Sequence, residues 1–384
     1  MNSNIYERGT TTATAAARRL SLVVTAVATL ACVSASAWDM PEGTDDYTKT
    51  NLISDQAGVA LLTDTNLVNA WGISFSATSP FWVSDNGSGL ATVYAVTYDT
   101  NGIVHVAKQG LQVTIPGDGS VDGQAFNSTV TGFHTNLFLF VSEDGTISGW
   151  RGALGTTAEV LVPGVSNNVY KGMTLTTNGS GMAVLLAANF RNATLDEYDS
   201  NLNLLGQFAD HKAPAGYAPF NVQILEGTIF VTFAKQDAAK HDDVAGRGHG
   251  LIDTFNVKTG TFRRLATGSK AGGRLDEINS PWGLAIAPST FGKHADELLV
   301  GNFGSGTIMA FEADGDFRGL LEDASTKEKP MVIDGLWGLT FGNGGKAGRA
   351  STLYFSAGPD GENHGLFGAI DPAPEEHRHG FFGW

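Results

Sequence analysis

Asn69-Ala70-Trp71-Gly72-Ile73 heads the pattern that decides the fold. This strand-like unit returns as Val121-Asp122-Gly123-Gln124-Ala125, Tyr170-Lys171-Gly172-Met173-Thr174, Pro219-Phe220-Asn221-Val222, Ser280-Pro281-Trp282-Gly283-Leu284 and Leu336-Trp337-Gly338-Leu339. Measured from Gly72 through Gly123, Gly172, Asn221, Gly283 and Gly338, the intervals are 51, 49, 49, 62 and 55 residues. A fixed period of about fifty residues marks a repeat architecture.

Outward from each copy, a short apolar run follows: Phe81 to Ser84, Leu137 to Val141, Ala183 to Ala187, Ile229 to Phe233, Leu298 to Val300 and Leu353 to Phe355. Turns such as Asp85-Asn86-Gly87-Ser88-Gly89 and Glu143-Asp144-Gly145 lead into a third strand. Asn, Asp and Gly tolerate the positive φ of tight hairpins, which explains their clustering there. An aromatic and a turn, as in Tyr98-Asp99-Thr100-Asn101-Gly102, end the third strand, and a fourth begins. Four antiparallel strands in each of six units predict an all-β chain, a six-bladed β-propeller. A β-sandwich or parallel β-helix leaves the four runs per repeat unexplained. Unit six runs out at Ile370, before Asp371-Pro372, while Thr50-Asn51-Leu52-Ile53-Ser54 is a spare strand ahead of unit one. Pairing the two removes two exposed sheet edges, so an N-terminal strand is expected to close the last blade. The propeller is bounded at 50–371, after a linker at 38–49 and before a flexible tail at 372–384.

Composition agrees with a large packed core. Of 384 residues, 42% are hydrophobic and 16% charged, the latter well below the roughly 25% of an average soluble domain. The net charge of −15 argues against nucleic acid or an anionic membrane as a partner. Residues 1–37 read as an export signal: Arg8, Arg18 and Arg19 precede an apolar run from Leu20 to about Val33, then Ala35-Ser36-Ala37. Cleavage after Ala37 removes three Arg and Glu7, leaving 21 basic and 38 acidic residues and a net charge of −17. Cys32, the one cysteine, goes with the signal, so disulfides and thiolate chemistry are not expected in the mature chain. Retention of Cys32 as an acylated residue is the rival reading, disfavoured by Thr29 where such signals usually carry Leu. Arg18-Arg19 faintly resembles a twin-arginine signal. The expectation is an exported, periplasmic or extracellular monomer with no membrane span.

Ser280-Pro281-Trp282-Gly283-Leu284-Ala285-Ile286, followed by Glu297 to Ile308, looks like an NHL repeat. From Leu52 to Ile370 the chain resembles a family of exported bacterial NHL-like propellers of unknown function, often found beside the PEP-CTERM sorting system. The resemblance rests on Asn69 to Phe75, Phe81 to Gly87, Glu143 to Trp150, and Asp360 to Ile370 with its Gly365-Leu366-Phe367-Gly368. It implies the architecture and brings no activity. This sequence shows no Pro-Glu-Pro sorting motif or terminal apolar anchor, so anchoring by that route is not expected.

In such a propeller the turn between second and third strands and the connection into each innermost strand open on one face. Those segments bring Asn69, Asp85, Asn86, Asp122, Glu143, Asp144, Lys171, Asn189, Arg191, Asn221, Asn279, Asn302, Asp334, Asp360 and His364 towards a channel mouth. Such oxygens suit a hard divalent cation such as Ca²⁺; they are equally the ordinary residues of tight turns. Unit four is interrupted from Ala234 to Gly250 by a loop with Lys235, Asp237, Lys240, His241, Asp242, Asp243, Arg247 and His249. It reads either as a lid or as a solvated excursion, and its histidines fit no standard zinc spacing. Asp118-Gly119-Ser120-Val121-Asp122-Gly123 begins like a calcium loop but places Thr129 where Glu is needed. Trp71, Phe220, Trp282 and Trp337 are expected in packing between blades rather than as a platform for sugars.

No Gly-x-Ser-x-Gly, His-Glu-x-x-His or phosphate-loop pattern occurs. The expected function is a binding module that takes a small molecule, glycan or protein on its open face. The alternative is a divalent-metal-dependent hydrolase or lactonase with a site at the channel. By fold analogy such enzymes carry a Glu-Gly-Pro motif at an innermost strand, and this chain does not. A purely structural surface protein is the third reading.

Overall fold

The computed structural model describes residues 46–129, 131–268, 277–326 and 329–374. The expected export signal, Cys32, most of the expected linker and the end of the tail lie outside the described residues. The chain opens with β1 (Asp46–Ser54) and β2 (Leu62–Thr63). Blade one is β3 (Ala70–Ser74), β4 (Phe81–Asp85), β5 (Leu90–Tyr98) and β6 (Val104–Thr114). Blade two is β7 (Val121–Phe126), β8 (Phe138–Ser142), β9 (Ile147–Trp150) and β10 (Glu159–Val162). Blade three follows with β11 (Tyr170–Thr177), β12 (Ala183–Asn189), β13 (Thr194–Asp199) and β14 (Leu204–Phe208). Blade four is β15 (Tyr217–Leu225), β16 (Thr228–Lys235), β17 (Gly250–Asn256) and β18 (Thr261–Thr267). Blade five is β19 (Pro281–Ile286), β20 (Leu298–Asn302), β21 (Ile308–Phe311) and β22 (Phe317–Leu320). After β23 (Glu322–Asp323), blade six has β24 (Leu336–Phe341), β25 (Leu353–Ala357) and β26 (Leu366–Pro372), with β1 as its fourth strand.

The fold is therefore all-β, a six-bladed propeller of four-stranded antiparallel blades. The closing strand is longer than the sequence suggested. It starts at Asp46, within the expected linker, and pairs antiparallel with β26 from Tyr47↔Pro372 to Ser54↔Leu366. Helical structure among the described residues is confined to short 3₁₀ turns, and none of it is a helix long and apolar enough to cross a membrane.

Second strands read as unbroken apolar runs because both faces of each blade are covered. In β8, Phe138 and Phe140 pack towards blade one beside Trp82, while Leu139 and Val141 pack towards blade three beside Tyr170 and Leu185. The alternation of side chains along a strand thus feeds two different cores. Six such cores lie between successive blades.

The repeated glycine has a steric cause. A Cβ on Gly123 would lie 2.7 Å from Gly172 Cα, and one on Gly338 2.6 Å from the Trp71 carbonyl oxygen. Gly72, Gly172 and Gly283 likewise press on Asp122, Asn221 and Trp337 of the next blade. Asn221 is the exception in blade four, and its side chain bridges the gap: Nδ2 donates to the Trp282 carbonyl of blade five at 2.8 Å. Every innermost strand also carries a register irregularity at this point. Such β-bulges re-aim a side chain, and the residue before the glycine is the one that turns to the axis.

Candidate functional site

Six blades contribute one axial residue each: Trp71, Asp122, Lys171, Phe220, Trp282 and Trp337. The four aromatics, joined by Phe190 and Phe303, make one buried cluster. Trp337 is at its centre, stacked on Trp71 at 3.4 Å and on Phe303 at 3.8 Å, with Trp282 edge-on at 6.0 Å. The expectation that these aromatics pack between blades holds, and together they plug the channel. Trp337 Nε1 donates to Asn69 Oδ1 at 3.2 Å, and Trp282 Nε1 to the Lys171 carbonyl at 3.2 Å. The plug thereby positions the polar groups at the mouth.

Asp122 and Lys171, from neighbouring blades, are the ionisable members of the ring. Lys171 is 2% exposed, its Nζ 5.1 Å from the Trp71 ring centre. It is ion-paired with Glu143 and reaches Asp242 Oδ1 at 3.4 Å. Burial alone would favour release of its proton, but the charges of Glu143 and Asp122 outweigh it and hold the ammonium above its usual range. Asn86 Nδ2 donates to Asp122 Oδ1 at 2.8 Å and to Glu143 Oε2 at 3.3 Å, while Asn69 Nδ2 donates to Asn86 Oδ1 at 3.2 Å. A continuous polar chain thus runs from Trp337 through Asn69, Asn86 and Glu143 to Lys171, Asp242 and His241, whose Nδ1 is 2.9 Å from Asp242 Oδ1.

Carboxyl groups outnumber ammonium groups here. Asp122 is fully buried, and burial together with the Glu143 charge pushes its carboxyl well above the carboxylate range; its Oδ2 has no hydrogen-bond partner. Burial raises Asp243 as well. Glu362, on the β25–β26 turn at φ 68°, is pushed up to about 7 by burial, with Glu143, Asp243 and Asp242 adding to the rise and Lys171 opposing it. Asp242 is lowered, because Lys171 and His241 outweigh the burial it experiences. Asn69 and Ser280 hold the same register position and adopt φ of 49° and 50°. Such strained backbone concentrates where side chains must be held in place.

The structure sorts the residues expected from sequence. Asn69, Asn86, Asp122, Glu143 and Lys171 converge, and the unit-four loop brings Asp242, Asp243 and His241 over them. Glu143, Asp144, Arg191 and His241 also line an adjoining groove of about 670 Å³. Asn189, Asn221 and Asn302 have structural duties: Asn189 Nδ2 donates to Asp196 at 2.8 Å, and Asn302 Oδ1 accepts from Asn279 N at 2.9 Å. Asp144 closes its turn through Thr146 N at 2.8 Å, Asp334 accepts from Asp360 N at 2.8 Å, and His364 Nδ1 meets Asp55 at 2.8 Å. Lys235 ends β16, and His249 Nδ1 meets the Val244 carbonyl at 2.7 Å. Asp85 is fully buried and burial raises it well above the carboxylate range. The calcium-like run beginning at Asp118 does not continue as a twelve-residue loop: Asp118 to Ser120 lie in the bend before β7, and Val121 to Phe126 is that strand. Glu362 escaped the sequence reading, although its neighbours Asp360 and His364 were singled out; only the glycine-flanked turn hinted at it.

Among the described residues one donor set suits a metal: ligand atoms of Glu143, His241 and Asp242 lie within 4.8 Å of one another. Two of these three residues already hold the Lys171 ammonium.

No family model matches the chain. Two uncharacterised proteins of Acanthamoeba polyphaga mimivirus are similar to it, one 29% identical over 83% of this chain and 78% of that protein, the other 28% identical over 83% and 84%. These viral relatives give no link to the PEP-CTERM system that the motifs suggested. Among solved structures, aldose sugar dehydrogenase from Escherichia coli covers 85% of this chain and all of its own at 11% identity and a TM-score of 0.49. Virginiamycin B lyase from Staphylococcus aureus covers 85% and 99% at 9% identity and a TM-score of 0.48. Likeness at this level carries no functional argument.

Proposed function

We propose that this protein is a binding propeller that takes a small cationic ligand at its charged mouth. The observation that carries this reading is the gathering of Asp122, Glu143, Asp242, Asp243 and Glu362 around the single ammonium of Lys171. Concave sites lined by an excess of one charge focus the field and concentrate the opposite charge. A cation entering beside Glu362 displaces the proton that burial keeps on it, so binding strengthens as pH rises from 6 to 8 and releases a proton. Titration calorimetry with calcium chloride, manganese chloride and spermidine, each in two buffers of different ionisation heat, tests this. The expected result is binding with proton release that Glu362→Gln removes; no heat from any of the three overturns the reading.

A second reading, a divalent-metal-dependent hydrolase or lactonase, is favoured by the Glu143, His241 and Asp242 donors. It requires Lys171 to yield two of its partners, and it predicts metal in the purified protein and ester hydrolysis lost on chelation. Export belongs to the same proposal, supported by Arg8, Arg18-Arg19 and the apolar run behind them; fractionation of producing cells tests it.

A further inference from the structure

Further along the same innermost strands, past the aromatic plug, lies a second chamber of about 410 Å³ lined from all six blades. Its chemistry is the opposite of the mouth's. In a chain of net charge −15, no Asp, Glu, Lys, Arg or His among the described residues lines it. Two positions beyond the ring glycine, or Asn221 in blade four, the strands contribute Ser74, Ala125, Thr174, Gln223 and Thr340. One position further, Phe75, Phe126, Leu175 and Ile224 form an apolar collar, and Ile224 is 37% exposed, so the collar reaches solvent.

Part of this polar ring is already committed. Ser74 Oγ donates to Gln124 Oε1 at 2.8 Å, and Gln124 Nε2 donates to the carbonyls of Gly72 at 2.8 Å and Trp82 at 3.1 Å. Thr340 Oγ1 donates to the Phe341 carbonyl at 3.2 Å. Thr174 and Gln223 are different. Thr174 is only 5% exposed, and neither its hydroxyl nor the Gln223 amide has a protein partner among the described residues. Both groups therefore face the chamber with their hydrogen-bonding capacity uncommitted to protein, so the site favours a guest that can pair with them.

An ion has no countercharge here and loses its hydration on entry. A hydrocarbon leaves Thr174 and Gln223 unpaired. A guest with several hydroxyls and apolar C–H faces satisfies both the ring and the collar, and the volume falls within the roughly 300–1,000 Å³ of small-molecule sites. We propose that this chamber binds one small, uncharged, polyhydroxylated molecule, a monosaccharide or sugar alcohol, through Thr174 and Gln223.

The test is saturation-transfer NMR and titration calorimetry on the purified protein with glucose, galactose, mannose and sorbitol as probes. At least one should receive saturation on its C–H protons, with an affinity constant between pH 5 and 8 because no titrating group lines the chamber. Thr174→Val and Gln223→Met should each weaken binding about tenfold, while Thr174→Ser, which keeps the hydroxyl, retains it. Melting curves establish that the variants are folded, and the hydroxyl-bearing variant keeps the test valid should Val disturb packing. No transfer to any of the four probes, or equal binding by wild type and both weakened variants, overturns the proposal. Cation binding at the mouth is read in separate titrations, so either proposal fails alone.

Discussion

Trp71, Phe220, Trp282 and Trp337 reach the axis from blades one, four, five and six, whereas the same register position in blades two and three holds Asp122 and Lys171. The backbone is alike in both groups, with a bulge at the same place. The aromatic group supplies what a closed ring needs, a dry centre for six blades to pack on. The charged pair supplies nothing that a fifth and sixth aromatic would not, and burying ions is costly unless they are paired. On the proposed function, the difference separates the part of the ring kept for stability from the part that shapes the mouth.

Substitutions sharpen or break that division. The largest effect is expected from Trp337→Ala, which empties the middle of the plug and should cost about 4 kcal/mol. Thermal melting should show the same loss at pH 5 and pH 8; a small or strongly pH-dependent loss would merge the two groups. Lys171→Met comes next. Removing the ammonium leaves the Glu143 carboxylate without its partner, at about 3 kcal/mol near neutral pH, and the penalty should shrink towards pH 5 as the neighbouring Glu362 carboxyl takes up its proton and lowers the negative charge of the mouth. A pH-independent penalty, read from urea midpoints, would mean that Lys171 serves mainly as packing.

The smallest effect belongs to Glu362. Its carboxyl is raised from 4.5 to about 7 on folding, so below the lower value both states hold the proton and stability is full. As pH rises the unfolded chain ionises first, and stability falls until pH passes the folded value; a rise of this size corresponds to about 3 kcal/mol, reduced to about 2 kcal/mol by solvent screening at this partly exposed turn. Glu362→Gln should flatten that slope between pH 5 and 8, whereas an unchanged slope would place its origin elsewhere in the mouth.

The ring was legible in the sequence because closure imposes itself on every blade. Gly72, Gly123 and Gly172 recur where the next strand leaves no room for a Cβ, so steric necessity writes the period. The spare strand near Leu52 was legible for a similar reason: a blade short of one strand requires a partner. The mouth was legible only in part. Asn86, Glu143 and Lys171 stand at positions the period marks, but Asp242 reaches Lys171 across 71 residues of sequence through a loop with no period. His241 and His249 looked alike on paper, yet one faces the mouth and the other meets a backbone carbonyl within its own loop. Side-chain direction in an irregular loop depends on contacts made after the fold has formed, and single-residue patterns do not encode it.

The pairing of Tyr47 with Pro372 also sets a schedule. During synthesis the earliest strand of the ring must wait for nearly the latest, and until then blade six stands open with an unpaired edge. Closing a loop of that span makes the last step slow compared with the local hairpins of the other blades. The interval before latching is when such a chain is most open to wrong partners and to proteases. The seam between β1 and β26 is thus the clock of the molecule: the last strand of the ring to emerge completes the first, and only then does the channel acquire two ends.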